Sequence, residues 1–168
     1  WFFLDTHVQM DPSAEQIAEA TLMASYRLKL FGIEPKVALL SHSNYGSHEN
    51  PSAAKMRAVY QILRSRMPKL EVDGEMMADT AWDEELRKRM FPHTTLNGRP
   101  NLFVMPNLDA ANITYNMIRV MTDGVAIGPI LMGLDQPAHI LTPASTARRV
   151  VNMTAIAAVD AQIRAMQR

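Results

Sequence analysis

Short continuous apolar runs alternate along this chain with longer stretches in which apolar residues recur every three or four positions. Ile17, Ala20, Leu22, Met23, Ala24 and Leu28, with Phe31 just beyond, follow the second pattern from Ser13 to Leu30, the spacing of one buried helix face. The polar cluster Asp11-Pro12-Ser13-Ala14-Glu15 opens that helix with a turn and an acidic first turn,. Gly32 falls just past its end, where a chain commonly turns left-handed. Val37-Ala38-Leu39-Leu40 is a run of the first kind, and such a run suits a strand buried on both faces of a parallel sheet.

The cycle then repeats. A polar loop, Ser41-His42-Ser43-Asn44-Tyr45-Gly46-Ser47, leads into a helix predicted over Pro51 to Arg66. Leu70-Glu71-Val72 is a brief strand ending in Asp73-Gly74-Glu75, followed by a helix over 79–89 and a turn at Asn97-Gly98,. Asn101 to Met105 is a third strand closed by Pro106, Ala110 to Met121 a third helix, and Val125 to Ile130 a fourth strand region. Thr146 to Met166 completes the pattern as a helix with Val150, Val151, Met153, Ile156, Val159 and Ile163 on its apolar face. Alternation of this kind predicts one compact α/β domain over residues 1–168, with helices on both faces of a mainly parallel sheet and right-handed crossovers,. In such sheets ligands bind at the carboxyl ends of the strands, which draws attention to the loop at 41–47.

Composition narrows the function classes. The 168 residues carry 17 basic and 17 acidic side chains, so there is no electrostatic footprint for nucleic acid or an acidic membrane surface. A net charge near zero leaves little self-repulsion and mildly favours self-association. The chain has no cysteine, which excludes disulfides and thiolate metal sites and fits a reducing cytoplasm. No apolar run reaches the length of a membrane span. Trp1-Phe2-Phe3-Leu4 is followed at once by Asp5 and His7, so it does not read as a signal peptide. A start at Trp1 reads as a piece of a longer protein. The thirteen methionines are scattered through helices and strands and read as core filling.

Candidate chemistry is sparse. His7, His42, His48, His93 and His139 show no metal-ligand spacing, and no glycine-rich phosphate loop is present,. No metal and no nicotinamide cofactor is therefore expected in this chain. Asp73, Glu75 and Asp79 gather three carboxylates, which serve either as acid and base or, more ordinarily, as caps beside a helix N-terminus. Pro106-Asn107-Leu108-Asp109-Ala110-Ala111-Asn112 follows a strand and begins a helix, a place for either an anion site or a capped helix end.

The loop at 41–47, Asp73-Gly74-Glu75, the stretch 106–112 and Gly128-Pro129-Ile130-Leu131-Met132-Gly133-Leu134 occur in one order. As a linked set they resemble the second half of a phosphotransacetylase (phosphate acetyltransferase) domain, from about Pro35 to Gln162. Residues 32–44 and His139-Ile140-Leu141-Thr142-Pro143 are similar to the branch fused to the C-terminus of large bacterial NADP-dependent malic enzymes. The resemblance implies a three-layer α-β-α fold of the phosphotransacetylase and isocitrate-dehydrogenase kind, as the second half of a two-subdomain unit. It also implies that NADP, a divalent metal (Mg or Mn) and malate bind outside this chain, in a malic-enzyme catalytic domain of the same polypeptide.

Active transferases of this family carry Asp-Leu-Ser-Arg-Gly after the Gly-Pro-Ile-Leu segment, and a later Asp proposed as the base. Aligned without gaps, the first five positions are Ile140, Leu141, Thr142, Pro143 and Ala144, and the later one is Arg149. Pro143 removes a guanidinium fork for phosphate, and Arg149 replaces a proton acceptor with a permanent cation,. Thr142 keeps a hydroxyl. The resemblance therefore implies no catalytic residue here but a regulatory module for acetyl-CoA or a related acyl-CoA. Its candidate contacts are Ser43, Asn44, Asn112, Tyr115, Thr142, Arg148 and Arg149. Homo-oligomerisation through the helices beginning near Ala110 and Thr146 is expected as well. A working transferase half-domain and a purely structural dimerisation domain are the alternatives.

Overall fold

The computed structural model describes residues 1–122, 125–143 and 145–166; Ala144, one of the aligned loop positions, lies outside the described residues. Contacts divide the chain into two compact units, Trp1–Met117 and Ile118–Arg168.

The first unit is built on a four-stranded parallel sheet. Its strands are β1 (Phe2–Leu4), β2 (Lys36–Leu40), β3 (Glu71–Met76) and β4 (Leu102–Val104), in the order β1-β4-β2-β3. The connecting helices are α1 (Ala14–Leu30), α2 (Pro51–Arg66), α3 (Ala78–Trp82) and α4 (Glu84–Met90), and α5 (Leu108–Met121) follows β4. The chain moves one way across the sheet from β1 to β2 to β3, then returns to insert β4. A reversal of direction with right-handed crossovers puts the two sets of helices on opposite faces. α1 and α2 pack on each other and on the sheet, whereas α3 packs on β2. The result is the expected α/β arrangement, a parallel sheet with helices on both sides.

Local sequence explains the elements. Ser13 caps α1 in a reciprocal box: its hydroxyl accepts from the Gln16 N–H at 3.3 Å, and the Gln16 side chain accepts from the Ser13 N–H at 2.8 Å,. Gly32 ends it at φ +73°, as expected. Asn50 caps α2 by accepting from the Ala53 N–H at 2.9 Å, with Pro51 in the first turn,. In β2, Val37, Ala38 and Leu39 are wholly buried, as its apolar run predicts. On one side of the sheet Ala38, Leu40, Met76 and Phe103 join Leu96, Ala81, Met105 and Ala111 in a cluster, with Phe3 and Trp82 packed against it.

Four expectations change. β1 is a strand, pairing Phe2 with Leu102 and Leu4 with Val104. β3 continues to Met76, so Asp73 and Glu75 lie within a buried strand and cap no helix. The helix expected over 79–89 is two, because Asp83 ends α3 and caps α4, accepting from the Leu86 N–H at 2.9 Å. Val125 to Ile130 forms no strand. Pro129 has no N–H to offer a ladder, Gly128 sits at φ +127° and Val125 and Ile127 are exposed.

In the second unit, α6 (Ala147–Met166) holds the segment before it. Arg164 donates to the carbonyls of Leu134 and Asp135 at 2.9 and 2.6 Å and pairs with Asp160 at 3.5 Å. No helix among the described residues is long and apolar enough to cross a membrane.

Candidate functional site

The parallel sheet sends the loops after all four strands to one edge. β2 and β4 are neighbours there, so the loop carrying Ser43 and Asn44 and the start of α5, with Asn112 and Tyr115, leave the sheet side by side.

The loop after β2 is bound closely to the end of β3. Ser43 is wholly buried; its hydroxyl donates to Glu75 Oε1 at 2.8 Å and accepts from the His48 N–H at 3.1 Å. That hydroxyl faces inward. Asn44 is half-buried and accepts from the Met77 N–H through Oδ1 at 2.7 Å. Tyr45 sits at φ +47° with its ring 4.5 Å from that of Phe91, and burial pushes its phenol above the ordinary tyrosine range,. His42 and His48 lie with ring centroids 5.7 Å apart on the exposed side.

The carboxylates after Val72 are occupied by protein donors. Asp73 accepts from the N–H groups of Gly74 and Thr95, both at 2.8 Å, and from the Thr94 hydroxyl at 2.5 Å. Glu75 accepts from Ser43, from the Gly46 N–H at 2.8 Å and from Arg57 at 3.0 Å. Asp79 turns back on its own helix, accepting from the Thr80 N–H at 2.7 Å.

The start of α5 is a capped end. The Leu108 N–H donates to the Met10 carbonyl at 3.0 Å and the Ala110 N–H to Asn107 Oδ1 at 3.0 Å, which takes up donors an anion would need. Further along, Asn112 donates to the Thr6 carbonyl at 3.0 Å and accepts from Asn116 at 3.0 Å. The Tyr115 ring lies 6.5 Å from that of Phe3 and 6.0 Å from that of His7.

Within the second unit, Thr142 is exposed and opens a turn into α6. Its N–H donates to the Ser145 hydroxyl at 3.1 Å, and its carbonyl accepts from the Ser145 N–H at 2.9 Å. The Arg149 N–H donates to the Thr146 hydroxyl at 3.3 Å. Arg148 is exposed and Arg149 half-buried in the first turn, which holds no acidic residue. Cations there oppose the helix dipole and favour an anion beside them.

Sequence reasoning passed over two charged residues of the first unit, one half-buried and one wholly buried. Arg57 has an ordinary place on α2, and only the fold brings it to Glu75. Arg87 is wholly buried and donates to the carbonyls of Thr80, Ala81, Leu96 and Gly98 at 2.6 to 3.3 Å. It fastens the connection between β3 and β4.

Residues 1–158 match the phosphate acetyl/butaryl transferase family, and the chain belongs to that family. A phosphotransacetylase of known structure from Streptococcus pyogenes superposes with a TM-score of 0.88 at 34% identity, over 94% of this chain and 48% of that one. Higher identity is found with malic enzymes. The NAD-dependent malic enzyme of Rhizobium meliloti (strain 1021) is 55% identical over 95% of this chain and 21% of its own length. The NADP-dependent malic enzyme of Escherichia coli (strain K12) is 51% identical over 96% of this chain and 21% of its own length. The chain thus spans about a fifth of these relatives and is similar to their phosphotransacetylase-like domain, the branch its motifs resemble.

Proposed function

We propose that this chain is a non-catalytic regulatory and oligomerising module of a cytoplasmic malic enzyme, and that it responds to acetyl-CoA or a related acyl-CoA. The observation that carries the reading is the loop before α6 together with the first turn of that helix. Pro143 and Arg149 stand where active transferases place a phosphate-binding Arg and a base. A transferase needs charge stabilisation and a proton acceptor at one centre. Neither buried carboxylate of the first unit supplies the acceptor, since Asp73 and Glu75 are shut from solvent and bonded to protein donors.

In the first unit, Asn44, Asn112 and Tyr115 would meet the effector at the carboxyl edge of the sheet, with Ser43 supporting the loop from beneath. In the second, Thr142, Arg148 and Arg149 offer a hydroxyl and two cations to anionic groups of the same class of ligand. The nicotinamide nucleotide, the divalent metal and malate would be handled elsewhere in the longer protein, which converts malate to pyruvate oxidatively. The relatives are named for both NAD and NADP, so the choice of nucleotide belongs to that other part.

The test is the activity of the full-length malic enzyme against acetyl-CoA concentration, with and without Arg149→Ala. Losing one charge-assisted contact is expected to raise the half-effective concentration about tenfold, with the malate KM little changed. An unchanged response removes Arg149 from the site. Acetyl phosphate formation by the intact protein that falls on mutation of this domain would overturn the non-catalytic reading. A flat calorimetric titration of the full-length protein with acetyl-CoA would favour a purely structural role.

A further inference from the structure

Glu75 gathers more of the loop than any contact proposed for the effector, although its place in a strand gives no hint of it. Its side chain is wholly buried at the carboxyl end of β3. One oxygen, Oε1, accepts from the Ser43 hydroxyl, the Gly46 N–H and the Arg57 guanidinium. Its main-chain carbonyl accepts from the Tyr45 N–H at 2.8 Å. The next two residues extend the pattern: the Met76 carbonyl accepts from the Ser41 N–H at 2.9 Å, and the Met77 N–H donates to Asn44 Oδ1. Glu75, Met76 and Met77 therefore hold Ser41, Ser43, Asn44, Tyr45 and Gly46 of the loop, whereas His42 turns to Asn50.

A carboxylate in such a place is expensive to bury and persists only where it is paired and hydrogen-bonded. Arg57 supplies the pairing charge, and the two loop donors on Oε1 make that pair depend on the loop's conformation. Oε2 is buried and has no hydrogen-bond partner among the described residues. Glu49 is no substitute: it approaches Arg57 only at 3.8 Å and is 92% exposed. A neutral amide at position 75 would lose the charge facing Arg57. It would also place an N–H2 group where Oε2 finds no partner.

We propose that Glu75, with Arg57, is the positioning residue of the effector site, fixing the Ser41–Ser47 loop in the conformation that presents Asn44. The loop half of this proposal rests on geometry; the effector half rests on the acyl-CoA reading above.

Glu75→Gln in the full-length protein tests both halves with two readouts. Amide exchange of peptides covering Tyr45, Gly46 and His48 is expected to quicken about tenfold or more, the equivalent of one charged hydrogen bond, while β2 stays protected. The acetyl-CoA concentration for half-maximal response, normalised to each protein's effector-free rate, is expected to rise about tenfold on the same grounds. Should Glu75→Gln fail to fold, Arg57→Met breaks the same pair from its more exposed side, and Arg57→Lys is expected to restore part of both readouts. Unchanged exchange in the loop overturns the proposal. Faster exchange with an unchanged acetyl-CoA response overturns its effector half. A full-length protein that never responds to acetyl-CoA overturns the effector reading instead, and exchange still decides the loop.

Discussion

Gly74 leaves no room for a side chain. It sits at φ +134°, and a Cβ built there would lie 2.5 Å from the Leu39 carbonyl oxygen and 2.9 Å from the Leu39 Cβ. Both are parts of the neighbouring strand, which cannot swing aside as a long side chain does. Gly74→Ala is therefore expected to lower stability by roughly 2–4 kcal/mol through overpacking and backbone strain, read from denaturant unfolding. The pairing register shifts between Leu39 and Leu40 opposite this residue, so the glycine is where β3 leaves its even ladder with β2. Directly after it comes Glu75, so the same short stretch that excludes a Cβ also sets the buried carboxylate at the base of the loop.

At the scale of elements, most of the fold was legible, and the exceptions share a cause. α1, α2, α5 and α6 fall within two residues of their predicted bounds, because apolar period and capping residues agree there. The Asn50 cap of α2 is seen in the structure, and removing it with Asn50→Ala is expected to cost about 1 kcal/mol, visible as a lowered thermal midpoint. β3 was harder to read because Asp73-Gly74-Glu75 looks like a turn when seen alone. Its burial depends on donors from Ser43, Arg57, Thr94 and Thr95, distant in sequence and without a local pattern. β1 spans three residues, too few to show a period, and is a strand because β4 pairs with it. The candidate site divides along the same line. Its loops were legible as strand ends, but the inward hydroxyl of Ser43 and the roles of Glu75 and Arg57 were not, since charged residues are ordinarily read as surface.

For the molecule as a whole, the unpartnered apolar surface matters most. On α5, Ile113 and Met117 are more than half exposed, and Val120 and Met121 more than three-quarters. Their spacing puts them on one helical face. A face of this kind is what a self-associating protein covers, and the proposed oligomer would cover it. Ile113→Asp with Met117→Asp in the full-length protein is expected to lower the association state by sedimentation. An unchanged state would move the interface elsewhere.

The placement of β4 has a consequence for how this protein is made. Of the four strands β1 is made first, yet the strand it pairs with is the last of them. Phe2 waits for Leu102, and β2 likewise has only β3 on its flank until β4 arrives. During synthesis β1 and the β2–β3 pair therefore both wait for the strand that joins them. Long-range pairing of this kind is slow and leaves apolar edges open meanwhile. Phe2 and Phe3 therefore meet Leu102 and Phe103 only after about a hundred further residues have been made.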